Sequence, residues 1–144
     1  MCNPVSTAYP DLLLARGEHL GYEWEVTSNK MGFRCGYVRI PRGHPWHGMD
    51  YDNVGAEVHG GLTYAEADCN CGKGGADDAW WLGFDCAHCG DAPDPALPGY
   101  VRGWPSSGGT IRTTEYVTAE CISLIEQAKD ADSGFRVVLA PELG

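Results

Sequence analysis

The fold is decided by Thr114-Glu-Tyr-Val-Thr-Ala-Glu-Cys-Ile-Ser-Leu-Ile-Glu-Gln-Ala-Lys-Asp-Ala131, the one long helical pattern in the chain. Its apolar positions follow the spacing i, i+4, i+7, i+8 and i+11 and form one stripe, made of Val117, Cys121, Leu124, Ile125 and Ala128. Thr113 or Thr114 can cap its start, and Gly134 is predicted to end it. A helix with a single apolar stripe must cover another apolar surface, so we expect it to pack on a sheet.

Strand patterns fill much of the rest of the chain. Residues 22–27 and 33–40 flank a glycine-containing turn and predict an antiparallel hairpin. Residues 57–64 predict a third strand with a bulge at its double glycine, and the apolar residues 79–85 predict a buried central strand. The valine-containing residues 135–140 predict a last strand. A short helix is predicted at residues 9–16.

Glycine and proline content predicts a fold rich in loops. The 144 residues include 20 glycines and nine prolines, and residues 67–78 and 93–109 are expected to be irregular connections. With 43% hydrophobic residues the chain can bury a core, and its length predicts one domain, residues 1–144, with the motifs at about 33–128. The predicted class is α+β, a mostly antiparallel sheet with one long C-terminal helix packed on one face.

The charge of the chain restricts its partners. Twenty acidic and ten basic side chains give a net charge of −10, which opposes binding to duplex nucleic acid because that binding needs clustered Lys and Arg. An anionic ligand would need a local basic pocket, a helix N-terminus or a metal ion. The sequence has no 18-residue apolar stretch and no export signal at its start, so we expect a cytoplasmic protein that binds no membrane.

The seven cysteines favour reduced thiols or metal ligands over disulfides, because their number is odd and no export signal precedes them. The pairs Cys69-x-Cys71 and Cys86-x-x-Cys89 could close a tetrahedral zinc site. The alternative is that Cys86 and Cys89 are small buried hydrophobes and that Cys69 and Cys71 are free thiols on a loop. The sequence leaves both interpretations open.

Polar residues gather beside glycines in three separate segments, around His44, His59 and His88, and we expect these segments to converge on one pocket. The residues concerned are His44, His47, Asp50, Asp52, His59, Thr63, Asp85, His88 and Asp91. An imidazole near a carboxylate supplies a general acid or base near neutral pH. Two other chemistries stay open: a divalent cation held by Asp85, His88 and Asp91, or thiolate attack by Cys86.

Four motifs carry a resemblance to a known family: Gly36-Tyr-Val-Arg-Ile-Pro-Arg-Gly-His-Pro-Trp-His-Gly48, Tyr51-Asp52, Val58-His-Gly-Gly-Leu-Thr63 and Trp80-Trp-Leu-Gly-Phe-Asp-Cys-Ala-His-Cys-Gly-Asp91. In these motifs the chain resembles small proteins that bacteriophages and prophages encode, mostly without an assigned function. The matching positions are His44, Asp52, His59, Thr63, Asp85, Cys86, His88 and Asp91. Cys69, Cys71 and Cys89 are not part of the pattern that this chain shares with those proteins. By analogy, a small phage protein with a polar pocket suggests counter-defence against a host nucleotide signal.

The first functional hypothesis is an enzyme that hydrolyses a phosphoester bond in a small nucleotide, such as a cyclic dinucleotide immune signal. His59 and His88 would act as acid and base, and Asp85 would orient one imidazole. Phosphate oxygens would be held by Thr63 and by the backbone amides of Gly60 and Gly61. The wider set of expected ligand-binding residues is His44, Trp46, Asp52, Gly60, Gly61, Asp91 and Trp104.

Two further hypotheses involve no catalysis. A sequestering module would stack its ligand on Trp46 or Trp104 and bind phosphate through Arg39 or Arg42. An acidic interaction domain would instead block a host protein through its charged surface. A homo-oligomer is compatible with each hypothesis.

Overall fold

A computed structural model describes residues 13–29, 31–67, 80–97, 100 and 109–139, with only the backbone described over 133–139. Within these described ranges there are seven strands and one α-helix: β1 Leu13–His19, β2 Tyr22–Ser28, β3 Arg34–Ile40, β4 Tyr64–Ala67, β5 Trp80–Asp85, β6 Asp91–Ala92, β7 Thr110–Ile111 and α1 Thr114–Leu139. A short 3-10 helix covers Tyr51–Asn53. The architecture is α+β, as the sequence predicts.

Five strands form one antiparallel sheet in the order β1-β2-β3-β5-β4. The predicted hairpin is confirmed as β2 and β3, with Val26 opposite Gly36. The predicted buried strand is confirmed as β5, which lies between β3 and β4 and has Leu82 and Phe84 almost fully buried. This interior position explains why β5 is a continuous apolar run and not an alternating one.

Helix α1 covers the sheet with its apolar stripe, all five members of which have no exposed surface. Complete burial of Leu124 or Ile125 contributes about 1.5–3 kcal/mol each to the free energy of unfolding. The approach is closest at Gly36, where an added Cβ would lie 2.4 Å from the Phe84 ring and 2.8 Å from Cys121 Sγ. Glycine in β3 therefore lets the helix contact the sheet closely.

Two predicted elements near the N-terminal half are wrong. The short helix is predicted at residues 9–16, of which residues 9–12 lie outside the described part of the chain and residues 13–16 belong to β1. Strand β1 joins β2 through a two-residue turn at Leu20 and Gly21 with φ angles of 53° and 87°. Such a turn joins two antiparallel strands directly. The third strand predicted at residues 57–64 is also wrong, because only Tyr64 at its end lies in β4. Gly60 and Gly61 both have positive φ, which interrupts an extended strand.

The last predicted strand is wrong as well. The structure continues α1 through Gly134 to Leu139 instead of ending it and starting a strand at residues 135–140. Propagating a helix adds one hydrogen bond for each residue fixed, whereas a new strand requires an available sheet edge. The predicted connections at 67–78 and 93–109 lie mostly outside the described residues. Among the described residues, no helix combines the length and apolarity that a membrane span requires.

Candidate functional site

The candidate site lies where three segments meet beside the start of α1. The turn before β4 supplies His59, the turn between β5 and β6 supplies His88, and β6 begins with Asp91. Parallel pairing of β6 with β7 places Asp91 opposite Thr110, two residues before Arg112. Residues that are separated by more than 20 positions in sequence are thereby brought to one carboxylate.

Asp91 is the centre of this cluster, and its side chain is only 1% exposed. Its Oδ1 accepts a hydrogen bond from Arg112 Nε at 2.8 Å, and its Oδ2 accepts one from the His88 backbone N–H at 2.9 Å. Burial alone would raise the pKa of this carboxyl, but the hydrogen bonds from Arg112, His59 and His88 outweigh burial and lower it to about 2. Asp91 is therefore a buried anion throughout the physiological pH range.

His59 is held by three contacts from the surrounding elements. Its Nε2 lies 2.9 Å from Asp91 Oδ2, its Nδ1 lies 2.9 Å from the Tyr116 hydroxyl, and its backbone N–H donates to Glu120 Oε1 at 2.7 Å. Burial raises the pKa of Tyr116, so the phenol stays protonated. The consistent assignment is that Tyr116 donates to Nδ1 and that Nε2–H donates to Asp91.

His88 lies next to this network and faces solvent. Its ring centroid is 5.7 Å from that of His59, and its side chain is 36% exposed. Nε2 lies 3.4 Å from Asp85 Oδ1, and Nδ1 lies 3.5 Å from Asp91 Oδ2. The ring packs on Gly60, where an added Cβ would lie 2.2 Å from His88 Cε1. A residue with a side chain at position 60 would displace this imidazole.

His59, His88 and Asp91 could together hold a metal ion. One ligand atom from each residue lies within 4.8 Å of the other two. Two imidazoles and one carboxylate are a donor set that transition metals use with open positions for water or substrate. The cation predicted from Asp85, His88 and Asp91 is thus replaced by a group in which His59 takes the place of Asp85.

Other predicted members of the active site support this cluster or fill other roles. Thr63 Oγ1 donates to Asp85 Oδ2 at 3.2 Å, and Gly61 N–H donates to the Val58 carbonyl at 2.9 Å. Both donors have partners within the protein, and their assignment to phosphate oxygens stays a prediction. Cys86 is 1% exposed, and burial raises the pKa of its thiol to about 12. Cys86 is therefore a buried thiol and not an activated nucleophile.

The loop around His44 does not join the cluster, so the prediction of one pocket for all three segments is wrong. His44 is 7% exposed, its Nε2 lies 2.7 Å from the Ala128 carbonyl, and its Nδ1 accepts the Trp46 backbone N–H at 2.9 Å. Ala128 follows Tyr116 by 12 residues on α1, or roughly 18 Å along the helix axis. His44 and Trp46 therefore connect their loop to the far part of the helix.

The remaining predicted residues lie elsewhere on the chain. Asp52 is exposed on the 3-10 helix. Cys86 is buried and Cys89 is exposed, so only Cys86 matches the prediction of a small buried hydrophobe. The predicted Cys69, Cys71 and Trp104 lie outside the described residues.

Sequence reasoning missed three residues of the site: Arg112, Tyr116 and Glu120. Arg112, just before α1, binds Asp91, and the other two, on α1, bind His59. They are spaced i, i+4 and i+8, and the Arg112 guanidinium lies 5.2 Å from the centre of the Tyr116 ring. Arg34 on β3 holds this segment, donating to Thr114 Oγ1 at 2.9 Å and to the Arg112 carbonyl at 3.1 Å. Their helical spacing was the available signal, but nothing local linked it to the histidines.

The chemistry available here is proton transfer beside a fixed positive charge. A solvent-facing imidazole, a Tyr–His–Asp chain and a guanidinium that is 27% exposed lie within one cluster. This set can move protons and stabilise a negative charge that develops on a ligand.

No family model, no curated protein and no solved structure matches this chain.

Proposed function

We propose that this chain is a hydrolase that cleaves a phosphoester bond in a small nucleotide, with a cyclic dinucleotide as the favoured substrate. The observation that supports it best is the pair His59 and His88, whose ring centres lie 5.7 Å apart around one buried carboxylate and beside a guanidinium. Two imidazoles at this distance can supply one acid and one base to the same reacting group. In keeping with the resemblance above, its setting would be the cytoplasm of an infected bacterium, with removal of an immune signal as its role.

Arg112 is the phosphate-binding residue in this proposal, in place of Thr63 and the two glycines. The protein carries a net charge of −10, so an anionic substrate needs a local positive charge. The Arg112 side chain is 27% exposed and is held in place by Asp91 at 2.8 Å. A guanidinium fixed in this way stabilises charge on phosphate oxygens without reorganising during the reaction.

The proton transfers divide between the two histidines according to their exposure. His88, the more exposed, takes a proton from the attacking water as its oxygen bonds to phosphorus. The phosphorus–oxygen ester bond breaks as His59 moves its Nε2 proton from the hydrogen bond with Asp91 to the leaving oxygen, and the proton that His88 took from water then returns to His59 through solvent. Tyr116 and Asp91 hold His59 from both sides and keep its ring oriented.

The test is incubation of the tag-free full chain with a panel of cyclic mono- and dinucleotides, followed by product separation. We expect hydrolysis by the unmodified protein and by His19→Ala, and a loss of at least 100-fold in His88→Ala. His19 is a matched control because its side chain is 32% exposed, close to the 36% of His88. Intact ligand released on heat denaturation would favour the sequestering module. Absence of both turnover and binding would contradict a nucleotide function.

A zinc cofactor is a separate part of the proposal. The cysteine-based zinc site depends on two residues outside the described part of the chain, and Cys86 and Cys89 differ in exposure. We therefore favour imidazole and carboxylate ligands for zinc. The proton transfers described above need His59 and His88 without an ion, so the metal-bound form and the hydrolytic form are alternative states of one site, and metal binding and hydrolysis are measured separately.

A further inference from the structure

We infer that His59, His88 and Asp91 form a binding site for one divalent transition-metal ion, with zinc as the best match. This inference goes beyond the proposed hydrolysis and stands without it. Its basis is the geometry of the three side chains, the charge around them and the state of one nitrogen atom.

Two of the three distances between ligand atoms are close to those of a tetrahedral metal centre. Zinc bonds to imidazole nitrogen and carboxylate oxygen at about 2.0–2.2 Å, which places neighbouring ligand atoms roughly 3.3 Å apart. His59 Nε2 lies 2.9 Å from Asp91 Oδ2, and His88 Nδ1 lies 3.5 Å from the same oxygen. The two distances bracket the tetrahedral value. All three ligand atoms lie within 4.8 Å of one another.

His88 Nδ1 supplies a second, independent observation. This atom is buried and has no hydrogen-bond partner among the described residues. A buried polar atom without a partner is costly, by about 1–3 kcal/mol, and a native structure normally satisfies it. Here the nitrogen lies near Asp91, on the side where the proposed ion would bind.

The local charge favours a cation despite the presence of Arg112. Asp85 and Asp91 lie beside the two imidazoles and Glu120 accepts the His59 backbone N–H, whereas among the described residues Arg112 is the positive group that binds Asp91. Arg112 binds Asp91 through Oδ1, and Oδ2 accepts the His88 backbone N–H and lies 2.9 Å from His59 Nε2. The ion would replace the Nε2 proton, with Nδ1–H then donating to the Tyr116 hydroxyl. The guanidinium would then orient the ligating carboxylate, a role that outer residues commonly have in metal sites.

Three protein ligands would leave one coordination position of the zinc ion open. Three protein ligands are the pattern of open zinc sites, in which water or substrate takes the fourth position. The class of ligand that such an ion would accept is a water molecule or the oxygen of a small anion.

The experiment is titration of tag-free, EDTA-treated full chain with Zn²⁺ alone by isothermal calorimetry, with zinc per chain measured after gel filtration. We expect one ion per chain in the unmodified protein and in the control His19→Ala. His88→Ala and His59→Gln should each weaken binding at least tenfold. His88 is partly exposed, so its variant is expected to fold, and circular dichroism checks this.

Titration with Co²⁺ separates this site from one formed by cysteines. Imidazole and carboxylate ligands give no thiolate-to-metal charge-transfer absorption, whereas a cysteine site does. Absence of zinc binding, a zinc affinity in the two histidine variants equal to that of the unmodified protein, or a thiolate band that survives in His88→Ala would each overturn the inference. Stoichiometric zinc with no nucleotide hydrolysis would support the metal site and refute the proposed function. Hydrolysis without any metal binding would do the reverse.

Discussion

Gly60→Ala should disrupt the site while changing stability little more than Gly61→Ala does. Both glycines have positive φ, 70° and 84°, so alanine costs about 1–2 kcal/mol of folding free energy at either position. The two positions differ in their surroundings. A Cβ at residue 60 would lie 2.2 Å from His88 Cε1, whereas a Cβ at residue 61 would have no atom within 4 Å.

The size of the displacement follows from that distance. Two carbon atoms in ordinary contact lie about 3.5 Å apart, so the His88 ring must retreat by about 1.3 Å. The ring is 36% exposed and can move into solvent, so the additional cost in stability should be small. Misplacement of a reacting group by about 1 Å can reduce a rate by 100-fold. Gly60→Ala should therefore lower zinc affinity and turnover while adding little to the loss of unfolding free energy.

The assay compares the two alanine variants with the unmodified protein in three measurements: urea unfolding, Zn²⁺ affinity and nucleotide turnover. We expect the two variants to agree within about 1 kcal/mol in unfolding free energy. Gly61→Ala should retain zinc binding and turnover, and Gly60→Ala should lose at least tenfold in both. Equal zinc affinity and equal turnover in the two variants would refute the argument that Gly60 makes space for His88.

Three further predictions concern the helix contacts and the core. Tyr116→Phe removes the hydroxyl that contacts His59 Nδ1 at 2.9 Å. We expect about tenfold weaker zinc binding with a melting temperature nearly unchanged. Unaltered zinc affinity would show that the hydroxyl does not orient the His59 ring. His44→Ala leaves the Trp46 N–H and the Ala128 carbonyl without their partner, and should cost about 1–3 kcal/mol in urea unfolding with zinc affinity unchanged. Burial raises the pKa of Cys35 and Cys121 from 9.0 to about 12, so the unfolded chain loses these protons first as pH rises. The unfolding free energy should therefore fall between about pH 9 and 12, by up to about 1.4 kcal/mol per pH unit for each thiol, and a flat profile would contradict this.

The helix and the central strands could be predicted from sequence because each carries its own periodic signal. The stripe of α1 and the apolar run of β5 are local patterns that depend on one buried face or on complete burial. The segment after Gly134 has a strand-like composition, but its backbone continues α1 to Leu139. Composition alone therefore predicted the wrong element for this segment. Residues 57–63 show the opposite problem, since their alternation is overruled by two left-handed glycines.

The site could be predicted only in part, for a related reason. His59 and His88 stand out because each lies beside glycines in a distinctive motif. Arg112 contacts a residue 21 positions earlier, and Tyr116 contacts one 57 positions earlier, so neither has a local signature. His44 has the same local appearance as the site histidines, yet its partner is a helix carbonyl that the sequence alone does not locate.

The order of elements along the chain also has a consequence during synthesis on the ribosome. All five strands of the main sheet are complete at Asp85, but the helix that covers them begins at Thr114 and extends to Leu139. At about 5–20 residues per second, the 54 residues from 86 to 139 take roughly 3–11 seconds to make. For that interval the nascent sheet has an uncovered apolar face, including the surface at Gly36 that Cys121 later contacts. A chaperone that binds emerging chains would find its target in this window and lose it once the helix packs.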